Sequence, residues 1–284
     1  MSMSSAPSAS EQITQRSKSN LAFALLTLPP HRRRDMITFY AFCRIIDDIA
    51  DEPGIEPDQR QRDLDTWRNG LLHGFTNPDE VQREVAALIP RHQIDPALFA
   101  EIIDGMQSDL TQTRYQTYPE LLAYCYKVAS VVGLISIRIF GCENPASRDY
   151  AINLGYALQL TNIIRDVGED ALNGRIYLPQ EDLQSFQVTE AEILNGKPGP
   201  QLTKMMQHQS QRAIDFYQLA CQNPPTDDRH RLIAARMMGR TYREVLEKVR
   251  AQKFSVFGPR IGLSKLRKLT ILATYTLRGL LKIG

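Results

Sequence analysis

Gln159-Leu-Thr-Asn-Ile-Ile-Arg-Asp-Val-Gly-Glu-Asp170 sets Asn162, Asp166 and Asp170 at intervals of four, a spacing that a helix turns into one stripe. Gln159 precedes them on the same face, while Leu158, Ile163, Ile164 and Val167 supply apolar packing faces around it. The stretch therefore reads as a core-packed helix carrying a row of oxygen-bearing side chains. The same 3.6-residue period runs through nearly every long segment, predicting helices near residues 11–28, 31–52, 58–73, 77–91, 95–112, 118–141, 146–172, 201–222, 228–252 and 264–282. No segment shows sustained period-two alternation bounded by hairpin turns, so the predicted class is all-α, a single large helical bundle.

Punctuation along the chain agrees with those divisions. Pro29-Pro30 separates the first two helices, and Thr117-Tyr-Pro-Glu120 and Thr189-Glu-Ala-Glu192 read as capping boxes. The stretches 195–200 and 223–227 are connecting loops too short to link domains. Residues 1–12 are expected to be a disordered lead-in to one all-α domain over 13–284, and the small polar N-terminus argues against a secretory signal.

The 284 residues, 43% of them hydrophobic, suffice for a substantial core, and 34 basic against 32 acidic residues give no reason to expect a nucleic-acid partner. Cys43, Cys125, Cys142 and Cys221 have no CxxC spacing and read as reduced core thiols of a cytoplasmic protein. Apolar runs fall short of the roughly 18 uninterrupted residues of a membrane span. After Glu247 no acidic residue follows, whereas nine basic ones do, from Lys248 to Lys282. Leu263 to Ile283 mixes these with apolar residues, as would an amphipathic helix lying on the inner membrane surface or a last bundle helix with a basic edge.

A second acidic stretch, Tyr40-Ala-Phe-Cys-Arg-Ile-Ile-Asp-Asp-Ile-Ala-Asp51, puts Asp47 and Asp51 on one helix face. Taken alone this is also what a solvated acidic helix end looks like. Two such stripes together suit a hard cation, which takes oxygen ligands and is commonly held by one or two carboxylates plus substrate phosphates. Arg44 beside Asp47, Arg165 beside Asp166 and Ser17-Lys18-Ser19 offer positive or hydroxyl partners for a departing diphosphate. Tyr40, Phe23, Phe39, Tyr124, Tyr177 and Tyr242 supply aromatic faces able to stabilise a carbocation, although for any single aromatic on a helix core packing is the better account. Dinucleotide, P-loop, zincin and nucleophile-elbow motifs are absent, and the five histidines have no metal-ligand spacing.

These stretches, with Tyr124-Cys-Tyr-Lys-Val-Ala-Ser-Val-Val-Gly133 and Gly174-Arg-Ile-Tyr-Leu-Pro179, resemble the squalene/phytoene synthases, head-to-head prenyl synthases, from about Ser17 to Lys268. The resemblance implies the class I isoprenoid synthase bundle, with Asp47, Asp51, Asn162, Asp166 and Asp170 holding Mg²⁺, for which Mn²⁺ is a substitute. Ser17, Lys18, Ser19, Arg44 and Arg165 would grip the diphosphates. Tyr40, Tyr124, Gln159, Tyr177 and Tyr242 would line the chamber. The implied reaction ionises one allylic diphosphate, lets the 2,3-double bond of a second attack its C1, and loses a proton to give a cyclopropylcarbinyl diphosphate.

The stretches 128–141, 234–243 and 262–268 most resemble bacterial presqualene diphosphate synthases of hopanoid pathways, whereas 166–170 and 175–179 are at home also in the phytoene synthases of carotenoid pathways. Two farnesyl diphosphates are therefore the expected substrates, with geranylgeranyl diphosphate as the alternative, and NADPH use is left open. Downstream pathway enzymes are expected partners. A terpene cyclase, a chain-elongating prenyltransferase, or a non-catalytic assembly protein that kept the fold are the other readings of the same residues.

Overall fold

The computed structural model describes residues 8–16, 24–51 and 54–280, leaving out the side chains of Gln15, Arg16, Asp51, Arg278 and Leu280. Ser17, Lys18, Ser19 and Phe23 lie outside the described residues. The first helices are α1 (Ala9–Arg16), α2 (Pro30–Asp51), α3 (Pro57–His73), α4 (Glu80–His92), α5 (Pro96–Ser108) and α6 (Tyr118–Cys125). A π-helical segment, Tyr126–Ser130, joins α6 directly to α7 (Val131–Phe140). There follow α8 (Ala146–Leu172), α9 (Gln180–Ser185), α10 (Glu190–Leu194), α11 (Pro200–Gln222), α12 (Ile233–Ala251) and α13 (Lys265–Leu280). Among the described residues there is no strand, and one isolated bridge joins Arg114 to Ile176.

Local chemistry explains most of these limits. Proline in the first turn starts α3, α5, α6 and α11, where its missing N–H costs no intrahelical bond. Asp79 and Thr189 complete capping boxes with Gln82 and Glu192. The Thr189 box opens α10, which like α9 is not among the predicted helices. At α6 only half of the expected box forms: Thr117 Oγ1 accepts from the Glu120 N–H at 3.4 Å, but the Glu120 carboxylate takes the Gln116 N–H at 2.7 Å instead.

Four expectations are corrected. Helix α1 begins inside the stretch expected to be a disordered lead. The Ser8 N–H donates to Glu11 at 2.9 Å, the Glu11 N–H donates to Ser8 Oγ at 3.3 Å, and the Ser10 hydroxyl bonds Glu84 of α4. Cys221 is exposed near the end of α11 rather than a core thiol; Cys125 and Cys142 are buried, and all four cysteines are free. The helical run Tyr118–Phe140 is long and apolar enough to cross a membrane by length and composition, but it packs inside this bundle against α5 and α8. The helix predicted from residue 228 starts at Ile233, after turns over 227–232 in which the Asp228 carboxylate is committed to Glu143, Asn144 and Ser147.

Helix α8 is the central element, packed against α11, α12, α7 and the π segment. Its N-terminus is anchored by buried Asp228, whose Oδ2 accepts from the N–H groups of Glu143 (2.9 Å) and Asn144 (2.8 Å) and from Ser147 Oγ (2.7 Å). Helix α2 lies against α1, α4, α5 and α7. Its inner face is aromatic: Phe42 sits edge-on to Phe99 (5.2 Å between centroids) and to Trp67 (5.6 Å), with Phe39 against the same Phe99 at 5.9 Å. Each such buried ring contributes roughly 1.5–3 kcal/mol by removal from water. The two Asp-rich helices thus share α7 as a neighbour.

Candidate active site

The stripe on α8 is charge-compensated by guanidinium groups. Arg165, itself buried, reaches Asp166 with Nε at 2.7 Å from Oδ1 and Nη2 on Oδ2. Arg260, from the loop between α12 and α13, makes a second two-pronged contact to the same carboxylate at 3.1 and 2.7 Å. Burial pushes the Asp166 carboxyl up, but the hydrogen bonds from Arg165 and Arg260 outweigh it and hold it below its ordinary value. The loop comes this close because residue 168 is glycine: a Cβ there would lie 2.3 Å from the Val256 carbonyl oxygen. A cavity of about 500 Å³ opens beside Asp166, with Glu169, Phe257 and Arg260 in its wall.

One turn further on, Asp170 is in the opposite situation. Burial, then the negative charges of Asp166 and Glu169, raise its carboxyl to about 7, with Arg175 countering only in part. Asn162, one turn before Asp166, donates Nδ2–H to Gln159 Oε1 at 3.3 Å, but its buried Oδ1 has no hydrogen-bond partner among the described residues. An orphaned buried carbonyl and a carboxyl driven toward its neutral form both want a cation.

Next to Asp170 lies a group of three tyrosines. Gly174, at φ +70°, reverses the chain after α8 so that Arg175 to Tyr177 run back toward the end of α5. There Asp109 accepts one hydrogen bond from Tyr124 OH on Oδ2 (2.8 Å) and one from Tyr177 OH on Oδ1 (2.9 Å). Tyr177 stacks on both Tyr115 and Tyr124, which are tilted to each other, with ring centroids 5.4–5.9 Å apart. Burial first, then the Asp109 charge, raises the Tyr124 and Tyr177 hydroxyls, so both phenols stay neutral donors at ordinary pH. Asp170, Arg175 and Tyr177 line one small void, which places the Tyr177 ring beside the last residue of the α8 stripe.

On α2, Arg44 is turned onto its own helix, with Nη1 2.6 Å from Asp47 Oδ2 and Nη2 on Asp48. Half-buried Tyr40 lies one turn earlier, and the Asp51 side chain is outside the described residues. Tyr242 on α12 is half-buried, within electrostatic reach of Arg260. The structure therefore brings Gln159, Asn162, Arg165, Asp166, Asp170, Tyr124 and Tyr177 into one neighbourhood. Sequence reading missed Asp109 and Arg260. Asp109 had a legible signal, an acidic residue at a helix C-terminus where the dipole disfavours it. Arg260 had none beyond membership of a basic tail.

Asp47, Asn162, Asp166 and Asp170 are not drawn together as a preformed cage: no cluster of three or more His, Cys, Asp or Glu side chains set to hold a metal ion occurs among the described residues. Carboxylates converging without a cation repel one another, and here Arg44, Arg165 and Arg260 supply the positive charge. The donor chemistry nevertheless fits a hard divalent ion, being all oxygen, with Asn162 Oδ1 unsatisfied and Asp170 strained toward neutrality.

An all-α bundle whose central helix carries this stripe beside a tyrosine stack is the architecture of a prenyl-transferring enzyme. Residues 14–267 match the squalene/phytoene synthase family, and the chain belongs to that family, whose chemistry is head-to-head condensation of prenyl diphosphates with divalent metal ions. It is 35% identical to the 15-cis-phytoene synthase of Synechococcus elongatus, over 98% of this chain and 94% of that one. It is also 35% identical to the phytoene synthase of Mycobacterium tuberculosis, over 93% and 88%. Among solved structures it resembles a dehydrosqualene synthase in complex with ligand (TM-score 0.82, 27% identity, 96% and 95% of the two chains). The fold is also that of squalene synthase HpnC from Alicyclobacillus acidocaldarius (TM-score 0.76, 24% identity, 86% and 93%).

Proposed function

We propose that the chain condenses two farnesyl diphosphates head to head to presqualene diphosphate, with release of one diphosphate. The observation that carries the reading is a pair of poles that meet where Asp170 and Tyr177 line one void. One holds Asn162, Arg165, Asp166, Asp170 and Arg260, and the other holds the neutral phenols of Tyr124 and Tyr177 fixed on Asp109. A diphosphate seated at the first pole leaves its allylic carbon facing electron-rich rings, which stabilise positive charge without acting as nucleophiles. Asp109 accepts a hydrogen bond from each phenol, so both hydroxyls are held in direction and both rings stay neutral and electron-rich. Asn162, Asp166 and Asp170, with Asp47 and Asp51 from α2, are the residues that would hold Mg²⁺. When bound, the ion neutralises charge on the departing diphosphate.

Support for the C15 substrate comes from the stretches 128–141, 234–243 and 262–268 and from the likeness to a dehydrosqualene synthase. A second reading, condensation of two geranylgeranyl diphosphates to phytoene, is favoured by the phytoene synthases that are 35% identical over nearly the whole chain. Mass spectrometry of products from each diphosphate offered alone with Mg²⁺, with and without NADPH, separates the two. A C30 product or its cyclopropyl diphosphate from farnesyl diphosphate is expected. Turnover of the C20 substrate alone would establish the second reading, and a C15 hydrocarbon or a longer linear diphosphate would overturn both. Asp166→Ala is expected to abolish turnover while leaving helical circular dichroism intact.

A further inference from the structure

A second cavity, of about 520 Å³, lies between α8, α11, α12 and α13. On α8 it is reached by Tyr150 and Leu154, two to three turns before Asn162, and on α12 by a different edge from the one bearing Tyr242. It shares no residue with the diphosphate site. Its floor is apolar, from Leu154, Tyr217 and Leu232, and its rim carries four guanidinium groups, those of Arg229, Arg236, Arg240 and Arg243. No carboxylate lines it. Arg240 is paired with Glu244 and Arg243 with Glu247, but Arg229 and Arg236 make no ion pair among the described residues. Arg236, Arg240 and Arg243 follow one another at four and three residues, so the helix presents them as one row. A forked cation row over an apolar floor is complementary to a phosphate carried on an apolar stem.

Helix α13 forms part of the same wall through Tyr275. Its other face is unpartnered: Leu266, Leu269 and Leu277 stand 75%, 49% and 57% exposed, at positions that share one stripe. Lys265 and Arg267 flank the stripe, Arg267 shared with Glu244, and no acidic residue follows Glu247 in the sequence. An apolar stripe edged by cations is the pattern of a helix lying at an anionic lipid interface.

We propose that this face docks on a bilayer containing anionic phospholipid, with a lipid phosphate seated among Arg229, Arg236, Arg240 and Arg243 and the leucines of α13 buried in the same leaflet. The apolar floor selects a lipid phosphate over a free one, because an inorganic ion would leave it uncovered. Charge supplies the attraction and the leucines the anchorage, so removing either weakens docking.

The test is cosedimentation of the full chain with phosphatidylcholine vesicles and with mixed phosphatidylcholine and phosphatidylglycerol vesicles, at low and high salt. Binding is expected to require phosphatidylglycerol and to weaken with salt. Arg229→Ala/Arg236→Ala is expected to lower vesicle affinity roughly 25-fold, at about fivefold per cation removed, and Leu269→Glu to lower it further. Both variants should keep the wild-type circular dichroism and condensation rate in detergent. If the double alanine variant unfolds, Arg229→Gln/Arg236→Gln is read in its place. Equal binding to the two vesicle types, or undiminished binding of the arginine variant, would overturn the proposal. So would calorimetric binding of inorganic phosphate that matches the vesicle affinity, since the site would then serve a free anion.

Discussion

Replacing Asp170 with Asn is expected to make the metal-free protein more stable at pH 8 while removing a residue placed to hold the metal. The carboxyl is raised from 3.8 to about 7, first by burial and then by Asp166 and Glu169. A carboxyl favoured in its protonated form by folding gives stability that is fully present below about pH 4 and is lost as pH rises through about 7. Three units at 1.36 kcal/mol each amount to about 4 kcal/mol, and solvent screening at this half-buried position lowers that to about 2–3 kcal/mol. Asparagine stays neutral throughout, so its gain is the part the carboxylate has lost. Urea unfolding followed by circular dichroism, in chelator, should show Asp170→Asn unfolding at higher urea than wild type at pH 8 and at the same urea at pH 4. A variant no more stable than wild type at pH 8 would refute the claim that burial and like charge strain this carboxylate. Adding Mg²⁺ and diphosphate should shrink the gap, because a bound cation stabilises a carboxylate more than a neutral amide.

Asp109→Asn turns one of two acceptor oxygens into a donor and leaves Tyr124 or Tyr177 without its partner. The loss should be about 1.5–3 kcal/mol in urea unfolding, together with a roughly 10–100-fold fall in turnover from misplaced phenols; unchanged turnover would remove the positioning role. Gly168→Ala would push the Val256 carbonyl away and loosen the Arg260 contact to Asp166, costing about 1–3 kcal/mol and exposing residues 252–264 to limited proteolysis. Asp228→Ala strands the Glu143 and Asn144 N–H groups, Ser147 and Arg231, and should cost about 3–5 kcal/mol in thermal or urea unfolding. Burial pushes the Asp228 carboxyl up, but hydrogen bonds from Ser147, Asn144, Glu143 and Arg231 win and hold it low. Its contribution is therefore present above the unfolded value of about 4 and lost as pH falls through the folded one, so the deficit of the variant should narrow in acid.

What could be read in advance follows from what periodicity encodes. The limits of α8 and the stripe from Gln159 to Asp170 were legible because both rest on the helical repeat and on local caps. The half-formed box at Thr117 was misread because a side chain chooses among nearby N–H groups by tertiary position, and Gln116 lay nearer to Glu120 than the cap did. Arg44 was expected toward substrate but lies along its own helix, where carboxylates three and four residues on are always within reach. The pairing of Arg260 with Asp166 spans ninety-four residues and depends on a backbone approach at Gly168, which no local pattern records.

The π-helical segment Tyr126–Ser130 carries a consequence of its own. It is clasped to α8 by the Ser130 hydroxyl on the Ile152 carbonyl, 2.8 Å apart, and Tyr124 sits just ahead of it. A wide turn accommodates one residue more than a regular turn does, so the helix before it and the helix after it run out of phase by about 100°. Register, not chemistry, therefore fixes where Tyr124 points. Losing a single codon between 126 and 130 would let the run close into an ordinary helix, with every side chain still of the right kind. Tyr124 would then swing about the axis and away from Asp109, making this a place where a deletion is far less tolerable than a substitution.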